Sequence, residues 1–443
     1  SAPYTLYTGT GTGVFKFIPK WPVTVTVTNG SASISGTNSY AAGDSVSFTE
    51  SGMSGTGFNT FQAYYVISTG LSSSAFQLSA TPGGSAIVAS GNSTGTVHSF
   101  LNPAYVSQTS GQETLVNNMI ISPPGSSAVT LACWDRPIMY QSNAKGDYST
   151  VTNAWDKIAN EPTHGWTIDY DYNSSPSTRT IVCLIAQVGN GNPDTAVSTN
   201  GGASWTKLSV IPPLQAWGGC IAVSDSSKAV WTGGFDNAVY FTTNLGVSAT
   251  WTAATGLPAN GLGGQGQRAT AADRVTIGTY YLYATGTNPG IYRSTNNGSS
   301  WTRVHTGLLS AGTQNGYLKC VPGNAGHIFW TAQDQDTNGF QRSTDGGVTW
   351  TPVGDGTNNF YNIQAFGFGA PFSTYPTVYC AGALGVSSTQ WGIYMSKDNA
   401  VTWTKLTDYP AGVICTPVDL DGDKTTPGQF YGCTAGQGAF YYG

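Results

Sequence analysis

Ser343-Thr344-Asp345-Gly346-Gly347-Val348-Thr349-Trp350 decides the fold of this 443-residue chain, because the same pattern returns along its last two-thirds. Copies stand at Ser198-Thr199-Asn200-Gly201-Gly202-Ala203-Ser204-Trp205, at Ser294-Thr295-Asn296-Asn297-Gly298-Ser299-Ser300-Trp301 and at Ser396-Lys397-Asp398-Asn399-Ala400-Val401-Thr402-Trp403. A looser copy runs from Thr242 through Asn244 and Gly246 to Trp251. The closing tryptophans 205, 251, 301, 350 and 403 lie 46, 50, 49 and 53 residues apart, the period of a four-stranded propeller blade.

Each copy has the chemistry of a tight turn between two strands. The Ser or Thr and the Asp or Asn side chains bond nearby backbone groups, Gly takes a positive φ, and the Trp is left to pack between adjacent blades. The pattern resembles the Asp box, or BNR repeat, of sialidase-like propellers, and that resemblance implies a structural role on the face away from the ligand.

Blade segments centre on residues 128–140, 167–208, 218–253, 269–304, 316–353, 362–406 and 413–442, which makes seven. The last segment ends at Phe440-Tyr441-Tyr442-Gly443 without a box, so its outer strand has to come from elsewhere. Residues near Leu115 to Ser122 are the expected donor, closing the ring and hiding a sheet edge. The fold class is all-β: a small N-terminal β module over 1–104, then a seven-bladed Asp-box propeller over 105–443.

Charged residues make up only 9 % of the chain, while Gly numbers 58, Tyr 24 and Trp 13. That balance suits a turn-dense β protein covered by Ser, Thr, Asn and Gly, and the wealth of aromatics argues against disorder. A net charge of -5 with no Lys/Arg cluster gives no electrostatic reason to bind nucleic acid. No apolar run is long enough for membrane insertion, and the first residues lack the basic and apolar regions of a signal peptide. The seven cysteines form no Cys-x-x-Cys pair. Cys183, Cys380 and Cys433 recur at one strand position, and Cys220, Cys320 and Cys415 at another, as small buried core residues do. Free thiols and folding in a reducing cytoplasm are the expectation.

Within 1–104, Pro22 to Thr28 alternates with period two, Ala41 to Asp44 reads as a turn, and Tyr64–Ile67 and Ala75–Leu78 read as paired strands. The stretches 41–48, 63–67, 76–87 and 95–97, in this order, resemble a β module common in structural proteins of tailed bacteriophages. That resemblance implies a virion component assembled in the host cytoplasm, anchored to other virion proteins through 1–104.

Ligands of such propellers use the face built by the loops between second and third strands and by the blade-to-blade connections. Candidates for glycan contact there are Trp134, Arg136, Trp217, Asp236, Gln265, Arg268, Asp334, Asp336, Tyr361 and Trp391. Sugar hydroxyls want planar amide or carboxylate partners and sugar C–H faces want rings. Each of these residues has a plainer reading as turn former or blade packing.

The run from Met119 through Ser122-Pro123-Pro124-Gly125 to Asp135, the boxes, and Pro427-Gly428-Gln429-Phe430-Tyr431-Gly432 are similar to the C-terminal propeller of glycoside hydrolase family 74, the xyloglucan hydrolases. The resemblance spans about 115–443 and implies a general acid at Asp135. The sequence departs from the family at Trp134-Asp135-Arg136-Pro137, where Gly-Asp and a Gly-rich run are usual. In the family the catalytic base comes from a second propeller; Asp236, Asp334 and Asp336 are the replacements available here. A sialidase reading fails for want of a triad of arginines on the ligand face.

Asp419-Leu420-Asp421-Gly422-Asp423 places alternate carboxylates around a Gly, as in a calcium loop, but it lacks the later bidentate Glu of an EF-hand. An ordinary solvated turn is the favoured reading, and no cofactor or metal is expected. The sequence thus points first to a virion structural protein, of tail-fibre, spike or decoration type, that binds host cell-surface polysaccharide as a homo-oligomer. An endo-acting glycoside hydrolase of the xyloglucanase lineage is the alternative.

Overall fold

The computed structural model describes the chain except residues 1–5, 11–12, 18–22, 49–52, 54, 60–63, 101–104, 108–115, 135–136, 145–150, 154–163, 187–192, 214–217, 235–236, 264–267, 310–315, 334–338, 387–390, 408–416, 436–438 and 443. The chain divides into two compact units, 1–106 and 107–443.

In the first unit a hairpin pairs Leu6–Thr10 with Gly13–Phe17. A closed six-stranded barrel follows, built from Val23–Val27, Ile34–Ser35, Ala75–Ser79, Tyr64–Ile67, Ser45–Phe48 and Ser93–Phe100 in that spatial order. The expected turn at 41–44 forms: the amide of Asp44 donates to Ala41 O, Asp44 Oδ2 accepts the Ala41 amide, and Gly43 sits at φ 93°. Inward residues of the alternating strands, among them Val25, Val27, Val46, Phe48, Tyr64, Phe76 and Leu78, make one buried core.

The second unit is the seven-bladed propeller. Its blades are four-stranded antiparallel sheets, and their innermost strands are Asn117–Ile121, His164–Tyr170, Gly219–Asp225, Thr270–Ala272, Tyr317–Cys320, Phe360–Gly369 and Pro417–Gly422. Outermost strands are short and exposed, such as Thr252–Ala253 and Thr351–Pro352. The seventh blade takes its outer strand from Tyr105–Ser107. The expected donor at 115–122 is therefore corrected: Asn117–Ile121 is the inner strand of the first blade, pairing with Val129–Cys133.

The boxes form as their chemistry requires. In the copy at 343–350, Ser343 Oγ donates to Asp345 Oδ1 and accepts the Gly347 amide, and the Trp350 indole N–H donates to Gly347 O. The same three bonds recur at Ser198, Asn200 and Trp205 and at Ser294, Asn296 and Trp301. Gly347 has φ 84°, and a Cβ there would also press on Ile291 of the preceding blade at 2.9 Å. Each box thus docks against its neighbour, and each Trp joins a core shared by two blades: Trp301 with Val230 and Tyr280, Trp403 with Phe340 and Phe360. Fully buried side chains such as Phe329 and Phe340 contribute about 1.5–3 kcal/mol each in such cores.

Candidate functional site

Among the described residues no β ladder runs between adjacent inner strands; an isolated bridge joins Arg268 to Tyr317, the Ala370 amide donates to Asp423 O, and side chains add further stitches. Thr167 Oγ1 accepts the Ile221 amide and Asp169 Oδ2 the Val223 amide, joining blades two and three. Asp419 Oδ2 accepts the Ile120 amide and Asp421 Oδ2 the Ser122 amide, closing blade seven onto blade one. The run 419–423 is therefore neither a calcium loop nor a solvated turn. Asp419 is wholly buried; its Oδ1 takes the Tyr317 hydroxyl at 2.5 Å and Lys319 Nζ at 2.8 Å, while Lys424 Nζ reaches Asp421 Oδ1 at 2.6 Å. Asp423 caps its hairpin by accepting the Thr425 and Thr426 amides and the Tyr431 hydroxyl.

This network lines the axis of the propeller. Arg274 reaches from the fourth blade to Asp169 at 2.5 Å and to the carbonyls of Tyr170 and Val223. Arg268, 8 % exposed, lies over the Tyr317 ring at 4.4 Å and faces Asp419 at 3.7 Å. Burial pushes the Tyr317 hydroxyl well up, so it stays a donor to Asp419. Arg268 was a candidate for glycan contact; the structure places it in the axial wall.

The boxes stand at one end of the ring, and the loops between second and third strands stand at the other. Two described clusters lie at this second end. Trp134, directly after the strand ending at Cys133, packs edge-on to Trp166 at 5.4 Å and against the His164 ring at 5.2 Å. Gly165, between those two, admits the Pro137 carbonyl where a Cβ would stand, and Asn118 Nδ2 donates to Gly165 O at 2.5 Å. The loop that carries Trp134 is thereby held against the second blade.

Between blades five and six, Gln333 begins the corresponding loop of the fifth blade with φ 57°, unusual for a residue with a side chain. Its Nε2 donates to Gln364 O at 2.7 Å, and Gln364 Nε2 donates to Asn362 Oδ1 and to Gln333 O. Beside this amide cluster, Tyr361 and Trp391 are half-buried at the same end of the sixth blade. Asp135, Arg136, Trp217, Asp236, Gln265, Asp334 and Asp336 lie outside the described residues. His164, Trp166, Asn362 and Gln364 were not singled out from sequence. The signal available was His164-Gly165-Trp166 at the start of a strand, in a chain with four histidines.

One end of the ring thus presents half-buried aromatic rings and amide groups, while charged side chains fill its axis. No family model matches the chain. Xyloglucanases from a Paenibacillus species and from Hypocrea jecorina are 29 % and 28 % identical to it over 292 and 283 residues. These alignments cover 64 % and 62 % of this chain but 26 % and 29 % of those enzymes, so the chain spans little more than a quarter of their length. Among solved structures, the family 74 xyloglucanase of Xanthomonas campestris matches 75 % of this chain and 44 % of its own with a TM-score of 0.55 at 21 % identity. The family 74 enzyme of Niastella koreensis matches 99 % and 72 % with a TM-score of 0.57 at 18 % identity. The propeller is thus similar to those of glycoside hydrolase family 74. The same findings correct the reading as a bacteriophage virion protein, and with it the placement in a virion: the relatives are enzymes named for xyloglucan.

Proposed function

We propose that this chain is a glycoside hydrolase, or the propeller half of one, acting on a β-glucan of the xyloglucan type. The similarity to xyloglucanases along the propeller carries this reading, and the ring and amide clusters at the loop end supply groups that such a polymer requires. Half-buried Trp134, braced by the buried Trp166, and half-buried Tyr361 and Trp391 offer faces for sugar rings, Gln333 and Gln364 offer planar amides, and Asp135, next to Trp134, donates the proton to the leaving oxygen. Inverting hydrolysis needs a second carboxylate about 6.5–9.5 Å from the acid to activate water. In our reading Asp334 or Asp336, on the loop that Gln333 begins, fills that role.

The test is release of new reducing ends from xyloglucan by the purified chain, with Asp135→Asn beside it. A general acid is worth roughly 10²–10⁴ in rate, so the variant is expected to lose at least a hundredfold. Equal rates for both proteins would remove Asp135 from the mechanism.

A further inference from the structure

The box end of the propeller has a cavity of its own. About 230 Å³ in volume, it is walled by loops of the second, fifth, sixth and seventh blades, each joining an inner strand to the strand beside it. Such loops leave the ring where the boxes stand, at the opposite end from the clusters of rings and amides. Pro322 and Lys424 also line the axial cavity, so the site sits over the axis. Its walls are fixed in advance. Pro322, Pro371 and Pro376 have φ set by their rings. The Ala370 amide donates to Asp423 O at 2.6 Å, Thr377 Oγ1 to Ala370 O at 2.7 Å and Asn324 Nδ2 to Pro322 O at 3.0 Å. Tyr172 stacks on Tyr170, and His327 Nδ1 lies 3.1 Å from the Tyr375 hydroxyl, tying the fifth-blade loop to the sixth. A site formed before its ligand arrives loses little to ordering on binding.

The lining sets the chemistry of an occupant. Lys424 is the charged residue in it, and its ammonium already donates to Asp421 Oδ1 at 2.6 Å and to Gly422 O at 2.8 Å. Carboxylates, phosphates and amines therefore find no free counter-charge. The Tyr172 hydroxyl, Asn324 Oδ1 and the Thr374 hydroxyl make no hydrogen bond with another described residue. The first two are open to solvent, and Thr374 is exposed. An apolar occupant would cover these groups unpaired, which is costly. Sugar hydroxyls both donate and accept, and so match a phenol, an amide oxygen and an alcohol together. The cavity also exceeds the ~150 Å³ that admits one benzene-sized ring.

We propose that this cavity is a second carbohydrate site. It takes one neutral pyranose ring, with hydroxyls on Tyr172, Asn324 and Thr374 and C–H edges against the prolines. The site uses none of the residues assigned to hydrolysis and does not rest on that reading.

Fluorine NMR of the full chain carrying 3-fluorotyrosine tests this, with the Tyr172 resonance assigned by its loss in Tyr172→Phe. D-xylose or D-glucose is expected to shift that resonance saturably, and crystals soaked in the same sugar should show a pyranose beside Tyr172 and Thr374. Thr374→Val, which removes one hydroxyl, should weaken the titration ~3–10-fold, the worth of one neutral hydrogen bond, and leave xyloglucan cleavage as it is. Should that variant not fold, the titration and the soaked crystal of the unaltered chain decide alone. A Tyr172 resonance that neither sugar moves, a pyranose found only at the other end of the ring, or tighter binding of D-glucuronate or a proline-rich peptide at Tyr172 overturns the proposal.

Discussion

Lys319 Nζ, from the inner strand of the fifth blade, lies 2.8 Å from Asp419 Oδ1, on the inner strand of the seventh. It also donates to Phe366 O of the sixth blade and to Leu420 O, so one ammonium ties three consecutive blades at the axis. Asp419 in turn holds the first blade through the Ile120 amide. The ring is closed near its axis by this pair as well as at its rim by Tyr105–Ser107.

Removing one member of a buried ion pair strands the other. Lys319→Met is therefore expected to cost ~3–5 kcal/mol of unfolding free energy, towards the lower end because Arg268 still faces Asp419. Urea unfolding followed by tryptophan fluorescence measures it; a loss under ~1 kcal/mol would show that the pair does not hold the ring.

The last box carries Ala400 where the others carry Gly, at φ 59°, following Asn399 at 61°. Asn tolerates this region, whereas Ala pays its Cβ clash. Ala400→Gly should stabilise the protein by ~1 kcal/mol, and Gly347→Ala, whose Cβ meets Ile291, should destabilise it by more. Calorimetry of the two variants reads opposite shifts.

The box aspartates give the fold an acid dependence. Burial pulls the exposed Asp345 carboxyl up, but the Thr349 hydroxyl and amide, Ser343 and Val348 together outweigh that and hold it below its ordinary 3.8; against the same burial, Thr402 and Ser396 do this for Asp398. A carboxyl depressed in the folded state stabilises it above the unfolded value and loses that contribution as pH falls through the folded one. The loss therefore begins near the ordinary value of 3.8 and runs below it. Asp345→Asn with Asp398→Asn copies the boxes that already carry Asn200 and Asn296, and should flatten the melting temperature across that window. An unchanged acid slope would mean other groups dominate.

Cys133, Cys183, Cys220, Cys320, Cys380 and Cys433 are free and buried, and burial pushes the Cys220 thiol up to about 12. Thiolate is the reactive form, so these six should resist alkylation in the native protein and react in denaturant. Peptide mapping after iodoacetamide distinguishes them; rapid native labelling of Cys220 would contradict the packing described.

The propeller was legible because Trp205 to Trp403 repeat at blade spacing and box chemistry is local. The seventh blade's outer strand was not, since Met119-Ile120-Ile121 is a continuous apolar run that reads alike at either edge of a sheet. Asp419 and Asp421 read as a polar turn because their partners, Lys319 and the Ile120 and Ser122 amides, are about 100 and 300 residues away and meet them only when the ring closes. Arg268 looked like a surface residue beside Gly-rich sequence for the same reason. His164 and Trp166 went unremarked because only the ring's assembly brings them to Trp134.

The most direct test of the account is proton NMR of xyloglucan during incubation with the purified chain, with mass spectrometry of the products. Shortened oligosaccharides are expected, with first-formed reducing ends in the inverted, α configuration. Polysaccharide that stays intact under those conditions would contradict it.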